Sequence, residues 1–459
     1  MNRGKWIALV CVATALAGAA ALPYLFPLSS FIPDIELAIA QRVHQPVSIK
    51  KLQAFILPLP HLRASAVTIG RNGLLDVDSI TIYPNAISLF DDTKVIREIE
   101  VRGVRARFEL LGAARSLLTT EIPQRKRAGG EGRAPIRVDR ITLRDVSLRF
   151  PTFSLPAFSA DIRLQNGKPA EIRASQQRDR LQLTARRQGE NWNVDFHAHD
   201  WTLPVGIALQ FDFLEGTASV TPSGIESHEL SGALYGGTFS GPVSVGWKSG
   251  WSVAGQLHIE GVDLERVVTL IKREVAVSGK LSAAPSFSSQ ARDPVELLNA
   301  LEVESDFAIE RGVLYKVDLI AAAKNPLNRA AAKGGKTEFD ELKGHLLLDH
   351  RVYEFSDLQI ASGLFKAKGE VTVNRDKALS GRVRAELRGT ASLVSMPLDV
   401  SGTTEDPSVF PTRGALAGAL AGTMLMPGIG TAVGMKAGEF TERLFGRKKP
   451  ERRKEPAQK

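Results

Sequence analysis

The sequence predicts a mainly β protein. The expected body is an elongated, twisted antiparallel sheet curled around an apolar groove, with a few short helices. One N-terminal transmembrane helix and a C-terminal Gly/Ala-rich apolar helical segment complete the expected fold. Three observations point there: period-two apolar patterning through most of the chain, one recurring slip in that pattern, and two long charge-free stretches near the ends.

The patterning is plainest in "GRVRAELRG", where Val383, Ala385 and Leu387 alternate with Arg382, Arg384, Glu386 and Arg388. "NWNVDFHAHDW" sets Trp192, Val194 and Phe196 against Asn193, Asp195 and His197. Such runs are half-buried strands, punctuated here by turn pairs such as NG, GG and DP. Helical candidates are short: Asp34–Val43, Leu110–Leu118, Leu264–Lys272, Val295–Leu301, and Leu319–Lys333 broken at Pro326. Residues 124–135, "QRKRAGGEGRAP", read as a flexible linker.

The slip appears in "ITLRDVSL". Ile141 and Leu143 keep the beat, and Val146 and Leu148 continue one residue late. "LRASAVTI", "IEVRGVRA", "LHIEGVDL" and "YEFSDLQI" share the frame, with apolar residues at positions one, three, six and eight. Their fifth residues are Ala66, Gly103, Gly261 and Asp357, matching Asp145. One extra residue is a β-bulge, which returns all four apolar side chains to one face and adds twist. Gly and Asp suit the backbone a bulge can demand. A tight turn between two short strands is the other reading of the same frame. Lining residues of the groove are then Ile99, Val101 and Val104; Ile141, Leu143, Val146 and Leu148; and Leu257, Ile259, Val262 and Leu264. The spacing between copies is irregular, so the frame is not a strict solenoid repeat.

At the N-terminus two cations in "MNRGK" precede a stretch with no further charge until Asp34. The run is long enough for a bilayer core of about 30 Å, and Trp6, Leu9, Leu16 and Leu22 are membrane residues in this reading. The positive flank places residues 1–4 in the cytoplasm, the helix at 5–26 and the body outside. A cleaved signal peptide ending near Ala19–Ala21 is the rival, although the apolar run continues past that site. The formal net charge is +9, and "RLFGRKKPERRKEPAQK" (443–459) holds eight Lys/Arg against two Glu. A basic tail of this kind fits a membrane surface or a solvated end better than a nucleic-acid interface, which would spread its charge over a fold.

Residues 414–435, "GALAGALAGTMLMPGIGTAVGM", carry no charge. Gly418 and Gly422 continue the helical spacing of Gly414, and Gly430 and Gly434 that of Gly438, a pattern that packs helices closely in lipid. Pro427–Gly428 divides the run, so a hairpin or interfacial segment at 413–446 is expected, followed by a basic disordered tail at 447–459. A full span and a flexible linker are the alternatives.

Catalytic constellations are absent from this reading. "GGKT" (Gly334–Thr337) lacks the first glycine of a phosphate loop, which would fall at Ala330. "GIGTAVG" (Gly428–Gly434) has one residue too many for a dinucleotide fingerprint. His197 and His199, with Asp195 and Asp200 nearby, fit a solvent-facing strand better than a metal site. Asp76/Asp78 and Asp91/Asp92 read as turn or solvated-face residues. The single cysteine, Cys11, lies in the apolar N-terminal stretch, which removes a disulfide framework and a cysteine zinc site. No enzyme activity, metal or cofactor is expected.

The order of several segments resembles the AsmA-like family of Gram-negative envelope proteins. Those segments are "FIPDIE" (Phe31–Glu36), "QPVSI" (Gln45–Ile49), "LPLPHL" (Leu57–Leu62), "VTIG" (Val67–Gly70), "ISLF" (Ile87–Phe90) and "VIREIEVRGV" (Val95–Val104). Later come "IERGVLYKVDL" (Ile309–Leu319), "LKGHLLLD" (Leu342–Asp349) and "PLDVSGTTEDPSV" (Pro397–Val409). The resemblance implies an N-terminal β-rich region at 27–123 and a C-terminal one at 291–412, flanking a middle β-rich region at 136–290. It further implies an inner-membrane anchor, a periplasmic body and a non-enzymatic part in outer-membrane biogenesis, with phospholipid bound or conducted along an apolar groove. Partners would be membrane phospholipid and envelope proteins, without nucleic acid or nucleotide. The other class open to this sequence is a tethered periplasmic scaffold that binds proteins through its sheet edges.

Overall fold

The computed structural model describes residues 28–43, 45–56, 59–70, 74–107, 136–149, 154–176, 179–204, 208–271, 276–324, 333–363, 365–388 and 393–417. The N-terminal stretch 5–26, the helical candidate Leu110–Leu118, the linker 124–135 and everything after residue 417 lie outside them. Among the described residues no helix is long and apolar enough to cross a membrane. The chain is mainly β, as the patterning predicts, and divides into two compact units at Pro222/Ser223, inside the span 136–290.

The first unit opens with a 3-10 turn, Leu28–Phe31, and helix α1 (Ile32–Val43). Eleven strands follow: β1 (Val47–Phe55), β2 (His61–Ile69), β3 (Leu75–Pro84), β4 (Lys94–Arg107), β5 (Ile136–Val138), β6 (Arg140–Arg149), β7 (Ser154–Gln165), β8 (Lys168–Gln176), β9 (Leu181–Gln188), β10 (Asn191–Thr202) and β11 (Gln210–Thr221). From β1 to β4 and from β6 to β11, sequential strands pair antiparallel. The exception is β4, which pairs parallel with both β5 and β6. The expectation of a wholly antiparallel sheet is therefore corrected to a mixed one. A parallel neighbour needs a connection of a dozen residues or more, and residues 108–135 supply that length.

The core of this unit is small. Ile49, Val67 and Val77 are buried beneath Ile32, Ile35 and Ile39 of α1. The helix sits there because its apolar side chains recur at i, i+3 and i+7. Glu36 also accepts a hydrogen bond from Ile49 N at 2.6 Å, which occupies part of the outer edge of β1.

The second unit contains β12 (Gly224–Leu234), β13 (Gly237–Gly246), β14 (Trp251–Gln256), β15 (His258–Asp263), β16 (Val277–Ala283), β17 (Ser286–Ala291), β18 (Glu302–Val317), β19 (Lys333–Asp349), β20 (Val352–Ala361), β21 (Phe365–Val373), β22 (Leu379–Arg388), β23 (Leu393–Gly402) and β24 (Pro407–Pro411). Helix α2 (Leu264–Ile271) follows β15 and helix α3 (Leu319–Lys324) follows β18. The helix expected at Val295–Leu301 is reduced to a 3-10 turn, Pro294–Glu296, capped by Asp293. Of the helix expected over Leu319–Lys333 and broken at Pro326, Leu319–Lys324 is helical, residues 325–332 lie outside the described residues, and Lys333 already opens β19. From β18 to β24 the strands form an antiparallel meander.

This unit has a closed core. Phe365, Met396 and Leu398 are fully buried, with Leu319, Ala322 and Ala323 of α3 and Ala415 of the helical residues 413–417 packed among them. Thr412 caps that last helix: its Oγ1 accepts from Ala415 N at 3.3 Å.

Candidate functional site

The recurring slip takes a consistent backbone form. Ala66, Gly103, Asp145, Gly261 and Asp357, the fifth residues of the five frames, all have positive φ, between 51° and 66°. Asp145, Gly261 and Asp357 sit at register shifts against β7, β16 and β21, as a bulge requires. Ala66 and Gly103 do not: the pairings of β2 with β3, and of β3 with β4, run through them without a shift.

The reason is that their neighbours slip as well. In β1 the apolar residues are Val47, Ile49, Leu52 and Ala54, and in β3 they are Leu75, Val77, Ile80 and Ile82. Both repeat the one-three-six-eight frame. Ile49 pairs with Val67, Val67 with Val77, Val77 with Val104, and Val104 with Val146. On the other side of the slip Leu52, Ala64, Ile80, Val101 and Leu143 pair in the same order. The apolar pattern of five strands therefore slips along one line and the ladder stays in register, with positive φ marking the slip in β2, β4 and β6. Only at β6/β7 does the count differ, and there the bulge appears.

Paired residues share a face, so the apolar face can be followed across the unit. One row runs Ala54, Leu62, Ile82, Ile99, Ile141, Ile162, Ile172, Ala185, Val194, Ala218. The next continues from Val101 and Leu143 through Ala160, Ala174, Leu183 and Phe196. A third continues from Val146 through Phe158, Gln176, Leu181, Ala198 and Leu214. Gln176 is the polar member, and its amide is satisfied within the row. Its Nε2 donates to Pro156 O, and its Oε1 accepts from Trp201 Nε1, both at 3.0 Å.

The opposite face is a charge ladder. Arg144 meets Asp161 at 3.3 Å, Arg163 and Arg173 meet Glu171 at 3.0 and 2.8 Å, and Arg186 meets Asp195 at 2.8 Å. The hydrogen bond from Arg173 holds Glu171 below the usual carboxylate range. The three rows carry no charged group; from β6 onward Val146, Ala160, Ala185, Val194, Ala198 and Ala218 are buried and most of the other side chains are half-buried. Among the described residues of this unit, α1 is the only helix longer than one turn, and it covers β1 to β4.

The expected lining residues divide between the units. Ile99, Val101 and Val104 of β4 pair directly with Ile141, Leu143 and Val146 of β6, and Leu148 pairs with Ala106 and Leu155. In the second unit Ile259 pairs with Phe239 and Ala283, and Val262, buried, pairs with Leu281. Leu257 precedes β15 and Leu264 is the first residue of α2, packed against the core of that unit. The expected membrane residues Trp6, Leu9, Leu16, Leu22, Gly418, Gly422, Gly430 and Gly434 lie outside the described residues.

The motifs set aside for catalysis take structural places. Thr337 of "GGKT" is fully buried in β19; its hydroxyl donates to Val317 O at 2.8 Å and accepts from Leu319 N at 3.0 Å, seating α3. His197 is exposed and 3.6 Å from Glu215, and Asp195 pairs with Arg186. Asp78 pairs with Arg105 at 2.7 Å. One group that sequence spacing does not reveal, Glu302, Asp349 and His350, brings three ligand-type atoms together at a hairpin end, all on exposed side chains. No family model, no curated protein and no solved structure matches this chain.

Proposed function

We propose that this protein is a non-enzymatic envelope protein, anchored in the inner membrane through residues 5–26, whose periplasmic β body binds or conducts phospholipid. Its place in outer-membrane biogenesis follows from the AsmA-like resemblance. The observation that carries the lipid reading is the apolar face of the first unit. One of its rows crosses ten strands without a charged interruption, and among the described residues a helix lies over the first four only. Nine inter-strand steps of about 4.8 Å carry the rows roughly 43 Å, longer than one acyl chain. Each buried CH₂ contributes about 0.8 kcal/mol, so a chain is held by area alone and no polar recognition cluster is needed.

The rival reading, a scaffold that adds partner strands at its edges, has less support at β1. There Glu36 already takes the Ile49 N–H that a partner strand would use.

Photo-crosslinking in the full-length protein separates the two. A benzophenone side chain at Leu143 or Ile172 should capture phospholipid, and one at Arg144 or Arg173, on the charged face, should not. Equal capture from both faces, or none from a folded protein, would overturn the lipid reading and leave the scaffold ahead.

A further inference from the structure

The loops along one edge of the first unit are not alike. The β1/β2 connection, the β3/β4 connection and the start of β5 lie at the same end of the sheet as the β7/β8 and β9/β10 hairpin tips. The register shows this: Phe55 pairs with His61, Asn85 N bonds Val95 O, Ile136 pairs with Lys94, and Leu164 N bonds Asp139 O. The β7/β8 and β9/β10 tips are polar, Asn166–Gly167 and Gly189–Glu190. The first three instead present Leu59, Ile87 and Ile136, which are 46%, 78% and 65% exposed.

The same end receives the chain. Glu36 of α1 stands beside Ile49, and α1 runs antiparallel to β1. Six residues back along a helix is about 9 Å, or roughly three strand residues, so the turn Leu28–Phe31 lies beside β1 toward Phe55. Phe31 there is 56% exposed. The apolar stretch that sequence reading assigns to the bilayer ends immediately before this turn.

The Ile87 turn is built to hold its side chain outward. Ser88 is buried; its hydroxyl donates to Asn85 O at 2.8 Å and accepts from Val95 N at 2.9 Å, and Ile87 N donates to Asn85 Oδ1 at 3.2 Å. An ordinary surface turn shows its polar groups and hides its hydrophobe; this one does the reverse. Behind the tips, Phe55 stacks on His61 at 4.7 Å and His61 lies tilted against Tyr83 at 5.3 Å, a layer of rings that are apolar in body and polar at two of their rims. Tyr83 is of the kind that favours the membrane–water interface. Nearby charges are of both signs, Arg63 and Lys94 with Asp91 and Asp92, so attraction to anionic lipid is not the driving term.

We infer that this end of the first unit rests in the membrane interface, with Phe31, Leu59, Ile87 and Ile136 inserted among the lipid headgroups and upper acyl chains. The inference rests on the proposed N-terminal anchor, and it brings one end of the apolar face to a bilayer.

The test uses the full-length chain in phosphatidylcholine vesicles containing nitroxide-labelled lipid. An environment-sensitive fluorophore is attached at Cys11, or at single cysteines replacing Ile87, Ile136 or Asn166 in a Cys11→Ser background. Emission should shift blue and be quenched at Ile87 and Ile136, and stay unchanged at Asn166. Quenching at Cys11 alone would overturn the inference and leave the anchor standing. Loss of quenching at Cys11 as well would overturn both. Equal quenching at Asn166 would also overturn it, because the whole edge would then meet lipid. A blue shift at Ile87 without lipid quenching, seen only in native membranes, would assign the tips to a protein partner instead.

Discussion

The two units use the same material to different ends. In the second unit the apolar face is closed: α3 and residues 413–417 lie in the core, and Phe365, Met396 and Leu398 are fully buried. In the first unit, among the described residues, one helix covers four strands with three buried residues beneath it, and the face beyond mixes buried residues such as Val146, Ala160 and Val194 with half-buried ones. Both units are built mainly of strands. What differs is whether a second layer is laid on them, and that decides which apolar residues work as core and which remain available.

Truncation should expose that difference most strongly. Leu398→Ala should cost roughly 3–5 kcal/mol, the range for a cavity in a closed core, whereas Leu143→Ala should cost about 1–2 kcal/mol. Denaturant unfolding with protease cleavage read separately in each unit checks this. Equal costs would mean that the first unit is as closed as the second.

Thr337→Val tests the polar side of the closed core. It leaves Val317 O and Leu319 N unpaired where no water reaches, at a cost of about 1–3 kcal/mol. The α3 region should lose amide-exchange protection first. Unchanged protection would mean that α3 is held by packing alone.

The kinks give a subtler contrast. Gly103→Ala should cost more than Gly261→Ala. Both place a side chain at positive φ, worth about 1–2 kcal/mol, but a Cβ at Gly103 also meets the Asp78 carboxylate, and one at Gly261 meets nothing within 4 Å. Ala66→Gly, at φ 53°, should stabilise. Thermal shifts of the three variants order them, and a reversed order would contradict the aligned kink.

The smallest effect belongs to the charged face. Glu171 titrates below its ordinary value of 4.5 in the folded protein, so its contribution is present above that value and is lost as pH falls through the folded pKa. Glu171→Gln should therefore flatten the pH dependence of stability on the acid side and change little at neutral pH. The Glu171 side chain is half-buried between Arg163 and Arg173, and a large neutral-pH effect would show the ladder to be structural.

Much of this was legible in the residues. The period-two runs became strands, and every fifth residue of the five slipped frames took positive φ. The collective character of the slip was missed because β1 and β3 carry polar residues, Lys51 and Ser79, at the fifth position, where no Gly or Asp draws the eye. Their apolar spacing held the signal. The parallel pairing of β4 with β6 had no local signature, because nothing in "IEVRGVRA" or "ITLRDVSL" states the direction of the neighbour. The Glu302, Asp349 and His350 group was illegible for the same reason: β18 and the β19/β20 hairpin meet only through register.

The parallel seam between β4 and β6 also shapes how the first unit forms. Among the described residues every other strand pairing in that unit, apart from short β5 against β4, joins consecutive strands, so hairpins can close in turn as the chain emerges from its N-terminus. The seam alone must wait for residues 108–135 to be made. Loop-closure entropy grows only with the logarithm of length, so this connection can lengthen at little cost to stability. The order of assembly is less forgiving: β1 to β4 can stand complete while β6 is still absent, with the Lys94–Arg107 edge exposed for that interval to any other strand that could take its place.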